Sequence, residues 1–203
     1  EPWVEYIMEE YIDGELYSFD GVCDAYGNVT YPTFHHYPTP VMEIVNEVKD
    51  CIYYTSPFIP TDLYEAGCKV VKAFGAKSRF FHLEFFRLKS DKPGLGQKGD
   101  IIGLEVNMRV PGGYTPDLIN FAYSVDIYQI WADVISFNEN RQYLGNPRGY
   151  CCYVGRRDGV WYKHSWDDVC YNYRNELKWA RRMPDALSGA MGNYFFMARF
   201  TDY

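Results

Sequence analysis

Between residues 100 and 117 the chain reads DIIGLEVNMRVPGGYTPD. Ile102, Leu104, Val106 and Met108 alternate there with Ile101, Gly103, Glu105, Asn107 and Arg109. Period-two alternation predicts a β-strand with one apolar face. Its other face then sets Glu105, Asn107 and Arg109 in a row, about 7 Å from one to the next. Pro111-Gly112-Gly113 turns the chain, and Thr115-Pro116-Asp117 reads as the cap, first-turn proline and acidic first turn of a helix. Residues 115–137 are mostly helical in pattern, with a break near Ser124-Val125-Asp126. Just upstream, residues 78–88 (SRFFHLEFFRL) predict a second strand, and 89–99 (KSDKPGLGQKG) a polar hairpin loop between the two. The glycines and lysines of that loop invite a phosphate-binding reading. The Walker spacing is missing, however, and no strand runs through the loop into a helix.

Nearer the start, residues 3–12 and 16–25 read as strands around Asp13-Gly14, and 29–34 as a third strand after the Gly27-Asn28 break. Residues 35–60 hold four prolines and read mostly as loop, with a short helix at 41–48. A helix over 61–74 places Leu63, Gly67, Val70 and Phe74 on one face and stops at Gly75. The polar segment 138–148, with Gly145-Asn146-Pro147, marks a boundary between residues 1–137 and 138–203. Beyond it, 150–154 and 160–164 read as strands. Ser165 and Asp168 form a capping-box pattern ahead of a helix bearing Val169, Tyr173, Leu177 and Ala180, and 194–200 is a closing strand. The pattern is α+β: a mostly antiparallel sheet with flanking helices, then a small β-rich segment with one helix.

Composition narrows the function classes. A chain of 203 residues can bury a real core, and hydrophobic and aromatic fractions of 47% and 19% argue for packed structure over disorder. Twenty tyrosines fit strand-rich packing. A net charge of −7 with no basic run argues against nucleic acid and anionic membrane as partners. No stretch approaches the ~20 apolar residues that span a bilayer. The six cysteines form no CxxC pair, and Cys151 adjoins Cys152. Reduced thiols in a cytoplasmic protein are the simplest account. The chain opens at Glu1 with no methionine or signal-like segment, which points to a fragment.

Chemistry gathers on the two central strands. A carboxylate, an amide oxygen and a guanidinium in one row offer a place for a hard cation and an anion, since Mg²⁺ takes oxygen ligands and Arg suits carboxylate or phosphate. The same row also describes a solvated face with charges of both signs. Glu84 shifts the balance, because it sits among Phe80, Phe81, Phe85 and Phe86, where an unpaired carboxylate is costly to bury. A bound cation would account for it. So would a hydrogen bond or salt bridge to His82 on the same face. The adjacent His35 and His36 fall in the predicted loop region, where they read more readily as surface than as substrate contacts.

Three ordered motifs, Met8-Glu9-Glu10-Tyr11-Ile12-Asp13-Gly14, His82-Leu83-Glu84-Phe85 and Leu104-Glu105-Val106-Asn107-Met108-Arg109 with Pro111-Gly112-Gly113, resemble the ATP-grasp superfamily. The likeness is to its carboxylate–amine ligase and carbamoyl-phosphate-synthase-like branch, and it runs over about residues 3–135. The tail from Tyr150 resembles the closing segment of biotin-carboxylase-like members. The resemblance implies that Glu9 accepts from the adenine amino group, and that the backbone of Glu10, Tyr11 and Ile12 lines the adenine. Glu15 stands near, though not at, the usual ribose-binding position, which Leu16 occupies. It implies Glu84, Glu105 and Asn107 as ligands of Mg²⁺, or Mn²⁺ in its place, and Arg109 as the group that holds the substrate carboxylate or its acyl phosphate. The implied reaction uses ATP to activate a small-molecule carboxylate for attack by an amine or similar nucleophile, forming a carbon–nitrogen bond. The family's phosphate-binding lysines and glycine-rich flap precede the hinge, so the amino-terminal lobes of the same protein are implied partners, and these residues alone are expected to be inactive. Two rivals stand beside this reading: a non-catalytic domain of the same fold, in which the polar row pairs with itself, and a β-rich binding or assembly module with a Tyr-rich surface.

Overall fold

In the computed structural model, which describes residues 6–201, the chain forms an antiparallel sheet of eight strands in the order β5-β4-β1-β2-β3-β6-β8-β7. The strands are β1 (Gly14–Cys23), β2 (Val29–Tyr37), β3 (Cys51–Thr55), β4 (Arg79–Leu88), β5 (Ile101–Asn107), β6 (Tyr150–Arg156), β7 (Leu177–Arg182) and β8 (Tyr194–Phe200). The helices are α1 (Val41–Asn46), α2 (Thr61–Ala73), α3 (Thr115–Tyr123), α4 (Ile127–Phe137), α5 (Trp166–Asn172) and α6 (Asp185–Met191). The expected α+β class and antiparallel sheet are both present.

Strand alternation divides the core between the two faces of the sheet. On one face Leu16, Val22, Tyr31, Tyr53 and Phe80 pack with Leu118, Ile127 and Ile130 of α3 and α4. On the other, Phe19, Phe34, Phe81, Leu83 and Phe85 pack with Leu63 and Val71 of α2. Four of the twenty tyrosines join a stacked column on the first face. Tyr37, Tyr53, Tyr153, Phe195 and Tyr114 follow one another with ring centroids 4.8–5.1 Å apart. Buried rings need their hydroxyls satisfied. Tyr153 accordingly donates to the Met191 carbonyl at 2.8 Å, and Tyr53 accepts from Thr115 Oγ1 at 3.3 Å. This column crosses from β3 to β6, whose five paired positions join the described part of the second segment, residues 138–201, to the same sheet as the preceding one.

Several local expectations are corrected by the fold. No strand forms in residues 6–13, and Trp3 of that predicted strand lies outside the described residues. The reason is that β1 is already paired on both edges, with β2 and β4. The hairpin turn of β1 falls at the expected Gly27-Asn28 break, over Asp24–Asn28, where the Asp24 carboxylate accepts from the amides of Tyr26 and Asn28 and Gly27 takes a positive φ. The predicted proline-rich loop contains β3 and most of the second half of β2, so His35 and His36 are strand residues. On α2 the buried face is Leu63, Gly67 and Val71, with Phe74 exposed beyond the helix end. Thr115 is the first residue of α3, not its cap, because its hydroxyl is taken by Tyr53. The α3–α4 break falls at Ser124, in a left-handed conformation, as expected. Residues 160–164 form no strand. The capping box of Ser165 and Asp168 is present, but α5 stops at Asn172, so Leu177 and Ala180 belong to β7.

Candidate functional site

Pairing of the edge strands brings the polar residues together. Across β4 and β5, His82 faces Asn107 and Glu84 faces Glu105. Across β4 and β1, His82 faces Asp20 and Glu84 faces Ser18, while Ser18 in turn faces His35 on β2. Directly opposed residues share a face of an antiparallel sheet. Ser18, Asp20, His35, His82, Glu84, Glu105 and Asn107 therefore line one face, that of α3 and α4.

A bulge adjusts the expected alternation of β5. The register shifts between Glu84 and Phe85, leaving Leu104 as the extra residue, since Glu105 pairs with Glu84 and Gly103 with Phe85. Ile101, with Val106 and Met108, therefore packs on the α2 face, while Ile102 lies opposite Phe86 and Leu104 is 41% exposed. The predicted row is also shorter than expected. β5 ends at Asn107, and the exposed Arg109 lies in a bend beyond it, donating from Nη1 to the Val110 carbonyl at 2.9 Å.

The interior of the site is an ion network: its His82–Glu84 contact is the one the shared face offered, while the Asp20, Ser18 and His35 part was missed by sequence reasoning. Asp20 is fully buried at the centre of the sheet. Its Oδ1 accepts from His82 Nδ1 at 2.5 Å, and its Oδ2 accepts from Ser18 Oγ at 2.5 Å and His35 Nδ1 at 2.9 Å. Burial by itself would raise the carboxyl's pKa. The His82 charge and the hydrogen bonds from His35 and His82 outweigh burial and hold it well below the usual carboxylate range. His82 shows the complement: burial disfavours its charged form, but Asp20 and then Glu84 push it up to about 10. The ring bridges two carboxylates, with Nδ1 on Asp20 and Nε2 3.3 Å from Glu84 Oε1. The available signal was the pair Ser18 and Asp20, two polar residues two apart in an apolar strand, matching the polar positions of β4 and β2.

At the outer rim, Glu84 and Glu105 are two directly opposed carboxylates. Such like-charge pairs destabilise a sheet unless a cation lies between them. Among the described residues no ion pair links Arg109 to either glutamate, so the self-paired row is not what forms. Asn107 Nδ2 is buried with no hydrogen-bond partner. Two carboxylates and an amide oxygen are hard donors that fit Mg²⁺, and the orphaned Nδ2 fits a phosphate oxygen beside it. Among the described residues no three histidine, cysteine or carboxylate side chains enclose a metal by themselves. A cation here would draw its remaining ligands from water or phosphate, as Mg²⁺ ordinarily does.

The segment with Glu9, Glu10, Tyr11 and Ile12 has no regular secondary structure, is mostly exposed, and leads into β1. It is braced by the β4–β5 hairpin loop: Lys92 pairs with Glu10 at 2.9 Å and donates to the Tyr11 carbonyl, and Lys89 lies 3.6 Å from Asp13. Two lysines of that loop, Lys89 and Lys92, thus hold a chain segment. Glu15 is not brought to the carboxylates. Strand alternation turns it to the α2 face, where it accepts from Tyr17 at 3.2 Å and lies 3.5 Å from His36 Nε2. His36 itself stacks on Tyr17 and bonds the Tyr54 hydroxyl at 2.8 Å. All six cysteines are free thiols. Among the described residues no helix is long and apolar enough to cross a membrane.

Comparison of the sequence with protein-family models and with curated proteins finds no match. Comparison of the fold with solved structures does. The chain is similar to the phosphoribosylaminoimidazole carboxylase ATPase subunit of Aquifex aeolicus, at a TM-score of 0.63 and 14% identity over 96% of this chain and 53% of that one. It is similar to phosphoribosylglycinamide synthetase from Anaerococcus prevotii, at 0.57 and 14% over 94% and 49%. It is similar to the biotin carboxylase domain of the Hydrogenobacter thermophilus 2-oxoglutarate carboxylase, solved with MgADP and bicarbonate, at 0.57 and 14% over 96% and 43%. The chain spans about half the length of these structures.

Proposed function

From the ATP-grasp fold that these structures share with the chain, we propose that it is the nucleotide- and metal-binding part of an ATP- and Mg²⁺-dependent ligase acting on a small-molecule carboxylate. The observation that carries the reading is the register that sets Glu84 against Glu105, with Asn107 next along the same face and its amide unsatisfied. Glu84, Glu105 and Asn107 would hold the cation. Bound there, Mg²⁺ supplies charge neutralisation for the phosphates of ATP. Arg109, exposed at the strand end, offers a fork-shaped guanidinium to a carboxylate or acyl phosphate. Glu9, Glu10, Tyr11 and Ile12 form the exposed strap against which an adenine would lie, with Glu9 accepting from its amino group. Glu15, on the far face, has no part in this assignment.

In the proposed reaction a substrate carboxylate oxygen attacks the γ-phosphorus of ATP and ADP leaves. An amine nitrogen then attacks the carbonyl carbon of the acyl phosphate, and phosphate departs. Arg109 holds the carboxylate in line and stabilises charge on the acyl phosphate, a contribution of positioning and electrostatics. Residues 1–137 carry this site, residues 138–203 extend the same sheet, and amino-terminal lobes of the same protein would supply the remaining phosphate contacts.

The test is carboxylate-dependent release of phosphate from ATP by the full-length protein, screened with amines as acceptors. Release that needs Mg²⁺ and is abolished in Glu105→Gln and Arg109→Ala is the expected result. Release unaffected by Glu105→Gln would remove the assignment.

A further inference from the structure

We infer that Asp20 is a positioning residue which, through His82, sets the orientation of the Glu84 carboxylate for a divalent cation; the inference rests on the metal reading of Glu84 and Glu105. The geometry is a relay across three adjacent strands: Asp20 on β1, His82 and Glu84 on β4, and Glu105 on β5. Asp20 is fully buried and anchored from three sides by Ser18, His35 and His82. Its 2.5 Å contact with Nδ1 fixes the plane of the His82 ring, which sets Nε2 against Glu84 Oε1 at 3.3 Å. One oxygen of Glu84 is thereby engaged, and Glu105 stands directly opposite the same residue on β5.

A buried carboxylate is an expensive way to fill a sheet interior, since apolar groups of similar volume generally serve stability as well or better. Its cost is explained if the network orients a ligand. Histidines bound to metals are commonly held by a carboxylate behind them, and losing that partner weakens metal affinity about 10–100-fold. The relay here is one step longer, because the histidine holds the ligand instead of being it.

The measurement is Mn²⁺ affinity in the presence of ATP, read by electron paramagnetic resonance on the full-length protein. It compares wild type, Asp20→Asn, Glu84→Gln and Val71→Ala, with melting temperatures recorded alongside. Val71 is fully buried on the opposite face, so its truncation lowers stability without touching the relay. Affinity roughly 10–100-fold weaker in Asp20→Asn and unchanged in Val71→Ala is the expected result. Should Asp20→Asn not fold, the double variant Asp20→Asn, His82→Gln, a neutral pair of similar shape, carries the same expectation. Asp20→Asn binding within twofold of wild type would overturn the relay and leave the metal site standing. Equal weakening in Val71→Ala would also overturn it, by tracing the loss to stability. Absence of Mn²⁺ binding in wild type, or binding indifferent to Glu84→Gln, would remove the metal site and this inference with it.

Discussion

Replacing Glu105 by Gln should change stability in opposite directions with and without ligand. In the ligand-free protein Glu105 stands directly opposite Glu84 and makes no ion pair among the described residues. Neutralising one member of a like-charged cross-strand pair relieves about 0.2–1 kcal/mol, and the exposure of Glu105 places the gain toward the low end. For a chain of this size 1 kcal/mol moves the melting temperature by roughly 2–4 °C, so the variant should melt about 1 °C higher. With Mg²⁺ and ATP at about a hundred times the dissociation constant, wild type gains roughly 2.7 kcal/mol, or about 5–10 °C. The variant, short of a carboxylate ligand, should gain little. The two melting curves therefore exchange order on adding Mg²⁺-ATP, which differential scanning fluorimetry of the full-length protein reads directly. Mg²⁺ alone and ATP alone serve as controls. Equal shifts in both proteins would refute the role of Glu105, and marked destabilisation of the ligand-free variant would show that Glu105 has a structural partner.

Other expectations follow from the packing. Because the folded pKa of His82 is raised from 6.5 to about 10, its contact with Asp20 contributes fully below pH 6.5 and is lost as pH rises toward 10. At the acid end the depressed Asp20 carboxyl gives a contribution present above its ordinary value and lost as pH falls through the folded one. The stability difference between wild type and His82→Gln should then be greatest near pH 5–6.5 and shrink toward pH 10, and a difference that is flat over that range would contradict the network. Gly67→Ala should destabilise by about 1–2 kcal/mol in urea titration, since overpacking outweighs the helix-propensity gain of about 1 kcal/mol. The added Cβ would lie 2.1 Å from Phe19 Cδ1, and Phe19 is buried and stacked on Phe81. Arg157→Met should lower stability by about 2–4 kcal/mol in the same titration, because the buried guanidinium donates to the carbonyls of Lys49, Ser188 and Gly189. Retention of wild-type stability in Arg157→Met would mean that water replaces those bonds.

Elements defined by local pattern were legible from the chain alone. The Phe-rich strand, the strand of Glu105 and Asn107, the helix of Leu63 and Gly67, the paired helices broken at Ser124, and the capping box of Ser165 all depend on periodicity or turn chemistry within a few residues. The antiparallel α+β class follows from them. Elements whose state depends on distant partners were not legible. Residues 6–13 carry strand-like residues but find no free edge on β1, the strand they lead into, because β2 and β4 occupy both its sides. Cys51–Thr55 becomes a strand because β6, a hundred residues later, pairs with it. Leu177 and Ala180 leave the helical pattern because β8 offers an edge.

The site divides in the same way. Glu84, Glu105 and Asn107 could be named as candidates from alternation and chemistry, because each lies in a strand recognisable from its own local pattern. That Glu84 and Glu105 stand opposite one another was decided by the register across the bulge at Leu104, which no local pattern encodes. The His82–Glu84 contact could be offered from their shared face, but the Asp20 end of the relay was beyond sequence reading. Asp20 and His82 are 62 positions apart, and they meet only once β1 and β4 have been paired. Periodicity assigns a side chain to a face, and only tertiary pairing decides which side chains meet there.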